Sequence, residues 1–176
     1  MTARSRPRPP TGHKFIIGSD HAGYDLKEKV KEYLTEKGNE VEDHVEEFQE
    51  TIDFGPVAEH VAKAVAQREG TYGILMCGTG LAMSITANKV RGVRAALLYD
   101  EQSAEYARRH NDANVLVFGG RTMEFEDVRK RLDAFFDADF EGGKYARRNE
   151  YISRMEAQRN EETPPSAGSR KPSENA

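Results

Sequence analysis

The sequence has 176 residues, of which 32% are charged, and its net charge is -4. This length suits one domain with its own core. The mild charge, without a long basic stripe, argues against nucleic acid as a partner. No apolar stretch reaches about 18 residues, which argues against a transmembrane helix. The single cysteine, Cys77, excludes an internal disulfide and fits a reducing compartment, which predicts a cytoplasmic location.

The two ends of the chain differ from the middle in composition. Residues 1–13 are rich in Arg and Pro and lack the apolar region of a secretory signal, and residues 157–176 are polar and rich in Pro and Ser. Such segments cannot bury enough apolar surface to offset the entropy lost on ordering. Both are therefore predicted to be disordered tails around one domain at residues 14–156.

Five segments of strand length follow one another through this domain. Four are apolar runs at 14–18, 72–77, 93–99 and 114–119, and a weaker segment lies at 40–44. The four strong runs are nearly continuous rather than alternating, which is typical of strands buried on both faces of a sheet.

Helical periodicity lies between the strands. Apolar residues recur at helical spacing in 26–34, 57–65 and 125–136, and further helices are predicted from Asp100 to about Arg109 and over 144–156. Strand and helix alternate five times. This alternation predicts an α/β fold, a three-layer α/β/α Rossmann-like sandwich with a five-stranded parallel sheet.

The loops at the carboxyl ends of the strands are the first to inspect, because ligands bind there in open parallel sheets. These loops lie at 19–23, 77–80, 99–103 and 119–121. The end of the fourth helix, RRHND at 108–112, is expected to project toward the same edge of the sheet.

Cys77 begins the most distinctive of these loops, CGTG. Gly78 and Gly80 free backbone N–H groups to face a ligand, and with the helix that follows they suit an anion or an oxyanion. The pattern is neither a GxGxxG fingerprint nor a P-loop, which argues against a nucleotide. Cys77 itself has two interpretations: a small buried apolar residue, or a thiol activated at a helix start as a general base or nucleophile.

The histidines near these loops also have two interpretations each. Asp20 and His21 are an acid and a base that are adjacent in sequence but need not touch. His110, in a basic helix end, could act in a site or could equally lie on the surface.

Three basic residues are candidates for binding a phosphate. Lys144 and Arg148 stand at i and i+4 on one helix face, where they could form a clamp with Arg121 or could simply be solvated. No cluster of His, Cys, Asp and Glu has the spacing of metal ligands, so no metal is predicted.

Five segments occur in the order and spacing of one known family. They are GSDHAGYDLK (18–27), CGTGLAMSITANK (77–89), GVRAALLYD (92–100), RRHNDANVLVFGGR (108–121) and EGGKY (141–145). In these segments the chain resembles the ribose-5-phosphate isomerase B family, which also includes galactose-6-phosphate isomerase subunits. The resemblance covers residues 14 to about 156, and the combination is specific although each segment alone is not.

The resemblance implies an aldose–ketose isomerisation of a phosphosugar, ribose 5-phosphate to ribulose 5-phosphate, through a cis-enediolate and without a cofactor or metal. It implies that Cys77 is the base that moves a proton between C1 and C2, and that Thr79 assists. Backbone N–H groups of residues 78–82 would hold the enediolate oxygen, a set that includes Gly78, Gly80, Leu81 and Ala82. Some relatives use a Glu as the base where this chain has Met83, so Cys77 has no rival here.

By the same resemblance, His110 donates the proton that opens the furanose ring, Asp20 helps to position it, and Asn111 binds a sugar hydroxyl. The phosphate would be bound by His21, Arg121, Lys144 and Arg148. Family members are dimers with active sites shared between subunits, sometimes paired into tetramers. We therefore expect a homodimer or a tetramer with shared sites.

Three residues near the expected substrate depart from the family pattern. Ala82 stands where the family loop CGTGxG has its last glycine, Phe54 replaces a tyrosine, and Lys144 replaces an arginine. These changes leave open the same chemistry on a tetrose, allose or galactose phosphate, and also a phosphosugar-binding relative that has lost turnover. A nucleotide-binding Rossmann domain is a further alternative that rests on fold analogy alone.

Overall fold

A five-stranded parallel sheet forms the centre of the protein, in a computed structural model that describes residues 9–159. The strands are β1 (Lys14–Ser19), β2 (Glu40–Asp43), β3 (Thr71–Cys77), β4 (Ala95–Leu97) and β5 (Val115–Gly119), in the spatial order β2-β1-β3-β5-β4. The helices are α1 (Tyr24–Glu36), α2 (Phe54–Gln67), α3 (Leu81–Ala87), α4 (Glu101–Arg109), α5 (Phe125–Phe136) and α6 (Gly143–Arg159). The predicted α/β fold with a five-stranded parallel sheet is confirmed.

Helices cover both faces of the sheet and divide the core in two. One core cluster packs α1, α4 and α5 against the sheet, and the other packs α2 and α3 against the opposite face. In β5, Leu116 and Phe118 face the first cluster, whereas Val115 and Val117 face the second. Each of these fully buried side chains contributes about 1.5–3 kcal/mol by leaving water. Burial on both faces explains why this strand has a continuous apolar sequence.

β4 differs from the prediction because it is an edge strand. The apolar run at 93–99 predicted a strand buried on both faces, but only three of its residues pair with β5 and they are half-buried. The side chain of Asn88 covers the other edge of this strand. Its Oδ1 accepts from the N–H of Ala95 and its Nδ2 donates to the Ala95 carbonyl, each at 2.9 Å. An amide side chain thus replaces part of a neighbouring strand.

The chain joins the domain before the predicted boundary at residue 14. Pro10 is buried, and its carbonyl accepts a hydrogen bond from Nδ2 of Asn39 at 2.9 Å. The N–H of His13 donates to Oδ1 of the same asparagine at 2.9 Å. At the other end, α6 continues past residue 156 to Arg159. The rest of the two predicted tails lies outside the described residues, among which no helix has the length and apolar content needed to cross a membrane.

The His13 imidazole belongs to an aromatic cluster at the amino edge of the sheet. Its ring centre lies 4.7 Å from that of Phe136 and 5.7 Å from that of Tyr72. Burial, and then the positive charge of Arg108, lower the pKa of His13. Protonating this ring therefore costs more free energy in the folded protein than in the unfolded chain.

A buried lysine ties β2 to α1. The Lys27 side chain is fully buried, and its Nζ donates to Oδ2 of Asp43 at 2.6 Å and contacts Glu28. Asp43 also accepts hydrogen bonds from Nζ of Lys31 at 2.7 Å and from the N–H of Val45 at 2.9 Å. Burial acts to raise the pKa of Asp43, but the hydrogen bonds from the two lysines outweigh it and hold that pKa below its usual value.

The connections leave a crevice at the carboxyl ends of β1 and β3. These strands are neighbours, yet the chain leaves β1 for α1 on one face and leaves β3 for α3 on the other. Ligands bind at such points in open α/β sheets, where the two departing chains separate.

Candidate active site

Three loops meet at the carboxyl edge of the sheet, after β1, β3 and β5. The N–H of Asp20, after β1, donates to a carbonyl of β3 at 3.1 Å. After β5, the N–H of Gly120 donates to the carbonyl of Cys77 at 2.7 Å, and the N–H of Arg121 donates to that of Gly78 at 2.9 Å. Backbone hydrogen bonds therefore hold the predicted loops side by side.

Gly80 makes the CGTG turn possible. It precedes the first residue of α3 with a φ of 81°, in the left-handed region. A Cβ at this position would lie 2.5 Å from Cδ1 of Leu97 and 3.1 Å from backbone atoms of Phe118. A larger residue would therefore be strained both by its φ and by these contacts.

Cys77 is the last residue of β3 and shows features of both interpretations of the sequence. It is 4% exposed and belongs to the core cluster under α2 and α3. Its Sγ nevertheless accepts a hydrogen bond from the N–H of Gly80 at 3.2 Å. The sulfur thus lies at the crevice with a polar donor directed at it, which suits a reactive group better than an inert core thiol.

The start of α3 supplies further donors beside this sulfur. The Thr79 hydroxyl accepts from the N–H of Leu81 at 3.4 Å. The N–H groups in the first turn of a helix have no carbonyl of a preceding turn to bind. Because α3 begins at Leu81, the N–H groups of Ala82 and Met83 in its first turn lie at the same edge as the thiol.

Ala82 and Met83 occupy ordinary helical positions in α3. Among residues 9–159, Asp112 is the only non-glycine residue with a positive φ, so Ala82 does not need the backbone freedom of a glycine. Its methyl group adds volume at the crevice without backbone strain. Met83 is fully buried, so its side chain fills the core under α3.

Asp20 shapes its own loop. Its Oδ1 accepts from the N–H groups of Ala22 at 2.9 Å and Gly23 at 3.0 Å, directly before α1. His21 and Arg121 are exposed at the same edge, and the Arg121 side chain lies along the CGTG loop. One chain therefore brings together an acid, a histidine, a thiol and a guanidinium.

His110 and Asn111 lie at the opposite, amino edge of the sheet. α4 begins after the carboxyl end of β4 and runs back, so the residues after it lead into the start of β5. There, the N–H of Asn114 donates to the carbonyl of Arg94 at 3.2 Å, directly before β5 and β4 begin. The seven residues of β3 separate the two edges by roughly 20 Å, at about 3.3 Å per residue. The prediction that RRHND projects toward the carboxyl edge of its own chain is wrong, and Asp20 cannot position His110 within one chain.

Lys144 and Arg148 lie at the amino edge with His110. The His110 imidazole is stacked between Tyr106, at 4.6 Å between ring centres, and Tyr145, at 3.9 Å, with both rings inclined to it by 14°. Nζ of Lys144 lies 4.9 Å from the centre of the Tyr145 ring, and the guanidinium carbon of Arg148 lies 5.6 Å from it. One aromatic ring thus contacts the histidine and both cations.

The tyrosines around His110 were not among the predicted site residues. Tyr106 and His110 are spaced i, i+4, which is a signal for side-chain contact on one helix face. Tyr145 is far along the chain, and no local pattern joins it to this histidine. Among the described residues, no three or more His, Cys, Asp or Glu side chains are grouped so that they could hold a metal ion.

Comparison with known proteins identifies relatives over nearly all of the described chain. A family model described as Ribose/Galactose Isomerase matches residues 15–152. Ribose-5-phosphate isomerase B of Escherichia coli is 42% identical over 147 residues, which are 84% of this chain and 99% of that protein. D-erythrulose-4-phosphate isomerase of Pectobacterium atrosepticum is 40% identical over 145 residues, or 82% of this chain and 95% of that protein.

A solved structure agrees with these sequence matches. The crystal structure of ribose-5-phosphate isomerase B from Mycoplasma genitalium with bound ribulose-5-phosphate superposes with a TM-score of 0.80 at 38% identity. The match covers 85% of this chain and 99% of that one.

Proposed function

The chain belongs to the ribose/galactose isomerase family, and we propose that it converts ribose 5-phosphate to ribulose 5-phosphate as an aldose–ketose isomerase. The observation that carries this proposal is the arrangement at the carboxyl edge. The Cys77 thiol faces the N–H of Gly80 at 3.2 Å, and Arg121 lies along the same loop. Such a site offers a base, donors for an oxyanion and a cation for a phosphate.

Cys77 is the base in this proposal. As a thiolate it takes the proton from C2 of the open-chain aldose, and the electrons of that C–H bond form a C1–C2 double bond while O1 becomes an oxyanion. The thiol then returns the proton to C1, and the hydroxyl proton on O2 moves to O1, which leaves the ketone at C2. The N–H groups of residues 78–82 and the Thr79 hydroxyl hold the enediolate oxygen. Removing one such donor typically slows a reaction about 10²- to 10³-fold.

Opening of the furanose ring requires a second chain. His110 donates a proton to the ring oxygen as the C1–O bond breaks, and the proton that the C1 hydroxyl releases as the aldehyde forms passes through solvent water back to the imidazole. Within one chain His110 is roughly 20 Å from Cys77, too far to touch the same sugar. We therefore propose a homodimer in which each site combines the carboxyl edge of one chain with the amino edge of the other, where Asp20 faces His110 of the partner subunit.

The surface of the chain supports association with a second copy. Exposed apolar side chains lie on α3 and α6, at Leu81, Ile85, Tyr151, Ile152 and Met155. Leu81 and Ile85 are spaced i, i+4, as are Tyr151 and Met155, so each helix has an exposed apolar face of the kind that is typical of subunit interfaces. A tetramer would pair two such dimers through other surfaces.

The same pairing completes the phosphate site. His21 and Arg121 come from the carboxyl edge, and Lys144 and Arg148 come from the amino edge of the other subunit. Asn111, next to His110, then binds a sugar hydroxyl. A cytoplasmic location belongs to the same proposal, because the base has to remain a reduced thiol.

The departures from the family pattern concern the choice of sugar. Phe54, the first residue of α2, is 44% exposed and has no hydroxyl to offer, and Ala82 adds a methyl group at the crevice. Lys144 keeps its charge but lacks the fork of a guanidinium. The alternative is therefore the same chemistry on a tetrose, allose or galactose phosphate, and the relative named D-erythrulose-4-phosphate isomerase supports including four-carbon sugars.

The test is a panel of aldose and ketose phosphates with four to six carbons, followed by NMR. Wild-type protein is expected to convert ribose 5-phosphate faster than the others, and Cys77→Ala to lose about 10²- to 10⁴-fold in turnover while still binding the sugar. Val61→Ala is the matched control, since it removes volume from the same core cluster in the middle of α2, away from both edges of the sheet. Its turnover should stay near wild type.

Three results would count against this proposal. Turnover of another sugar phosphate, without turnover of ribose 5-phosphate, would show that the other sugar phosphate is the substrate. Binding without turnover in wild-type protein would indicate a phosphosugar-binding relative. Thermal stabilisation by NAD or ATP instead of sugar phosphates would indicate a nucleotide-binding domain.

A further inference from the structure

Arg94 binds the segment that follows α4, although it belongs to a different part of the fold. Arg94 lies directly before β4, and its Nε donates to the carbonyls of Asn111 at 2.8 Å and Asp112 at 3.0 Å. Its Nη2 donates to the Asp112 carbonyl at 2.6 Å. The main chain of Arg94 binds the same segment, because its N–H donates to Oδ1 of Asn114 at 2.8 Å. A guanidinium can bind adjacent carbonyls at once, whereas an ammonium group lacks that fork.

Asp112 is the point at which this segment turns. Its φ of 48° lies in the left-handed region, which a non-glycine residue keeps only where its surroundings hold it there. Here Arg94 binds the Asp112 carbonyl and also pairs with its carboxylate at 3.0 Å, while Arg108 pairs with the other carboxylate oxygen. The turn is thus stabilised on both its backbone and its side chain.

The two residues before this turn are the ones that the proposed mechanism needs. His110 directly follows α4, and its carbonyl accepts from Nδ2 of Asn149 at 3.1 Å. Stacking on Tyr106 and Tyr145 fixes the plane of the imidazole. The backbone between His110 and Asn111 fixes the position of the imidazole between the two tyrosine rings. Arg94 binds this backbone at the Asn111 carbonyl.

We propose that Arg94, acting with Asp112, is a positioning residue for His110 and Asn111, and this inference rests on the proposed function. Arg94 lies at the amino edge of the sheet, at the opposite end of the strands from the thiol of its own chain. Its guanidinium sets the path of residues 110–112 and so the place of the imidazole that enters the partner subunit's site.

The main test is Arg94→Lys, which keeps the charge and removes the fork. The kcat for ribose 5-phosphate is expected to fall about 10- to 100-fold, the loss typical of a misplaced catalytic group. KM should change less than kcat, because the phosphate ligands lie outside this contact and the only ligand affected is Asn111, which binds one sugar hydroxyl. Arg129→Lys is the matched control, since Arg129 is also ion-paired and its side chain is 33% exposed against 26% for Arg94. An unchanged kcat in Arg94→Lys would overturn the proposal.

Co-expression of two variants separates positioning from general damage. Paired with Cys77→Ala, the Arg94→Lys chain should recover about a quarter of wild-type activity, because one site per hybrid dimer then has an intact thiol and an intact amino edge. Paired with His110→Gln it should recover nothing, because both changes damage the same edge. Recovery with His110→Gln would overturn the proposal.

A measurement that does not depend on catalysis tests this inference separately from the proposed function. The imidazole NMR signals of His110 should shift in Arg94→Lys, whereas those of His60 on α2 should not. Unshifted His110 signals would overturn the positioning role, and a wild-type protein that isomerises no phosphosugar would overturn the proposed function alone. If a urea titration shows that Arg94→Lys is already unfolded without urea, Asp112→Asn is tested in its place. That variant tolerates the left-handed turn, loses the ion pair and should give a smaller shift and kcat loss in the same direction.

Discussion

Two inactive variants expressed together can test whether the active site is shared between chains. Cys77→Ala removes the proposed base at the carboxyl edge, and His110→Gln removes the proposed acid at the amino edge. The two groups are roughly 20 Å apart in one chain, so neither variant can use its remaining group alone.

The size of the expected recovery follows from two-fold symmetry. If the chains associate at random, about half of the dimers are hybrids, and each hybrid has one site with both changes and one with neither. The mixture should therefore show about a quarter of wild-type activity per chain, and purified hybrid dimers about half. The separate variants should each be slower than wild type by about 10²-fold or more.

The assay is isomerisation of ribose 5-phosphate by co-expressed chains that carry different purification tags, with hybrid dimers isolated by both tags. Cys77→Ala with Thr79→Ala is the control pair, because both changes lie at the same edge and leave no intact site in a hybrid. If purified hybrids of Cys77→Ala and His110→Gln stay as inactive as the separate variants, the shared site is refuted. Equal recovery in the control pair would show that activity does not depend on which edge of the sheet carries the change.

Three further predictions concern stability, measured as the free energy of unfolding in urea. Gly80→Ala should destabilise the protein by about 1–3 kcal/mol more than Gly92→Ala, since both glycines have a φ near 80° but only the first meets other atoms; equal losses would contradict this. Lys27→Met should cost about 1.5–3 kcal/mol because it removes a buried charged hydrogen bond to Asp43, which keeps Lys31 as a partner, and the exposed Lys63→Met should cost almost nothing; similar values for the two would show that burial does not matter here. The pKa of His13 is lowered from 6.5, so the unfolded chain binds the proton more readily and stability should fall as the pH drops below about 6.5. His13→Gln should reduce that fall, and identical pH profiles would rule out this contribution.

The fold could be predicted from the sequence because burial on both faces leaves a continuous apolar signal. β1, β3 and β5 each carry that signal, and the helices between them show the apolar periodicity of one buried face. β4 was predicted less well, since an edge strand can be apolar and still half-exposed when a side chain such as Asn88 covers it.

Half of the candidate site could be predicted in the same way. Asp20, Cys77 and Arg121 follow successive strands of the sheet, and the carboxyl ends of parallel strands always meet at one edge. The left-handed backbone conformation of Gly80, three residues after Cys77, could also be predicted, because glycine is the residue that adopts this conformation readily.

Local residue types alone thus predict the strands, the order of the loops and the place of the lone thiol at the end of an apolar strand. The place of His110 at the far edge also follows from the parallel order of the strands, because a crossover helix must run back along the strands before the next one begins. Only the tertiary structure brought Arg94 to Asp112 and Tyr145 to His110. These contacts join side chains from different elements, and their geometry exists only once the sheet and its helices have packed.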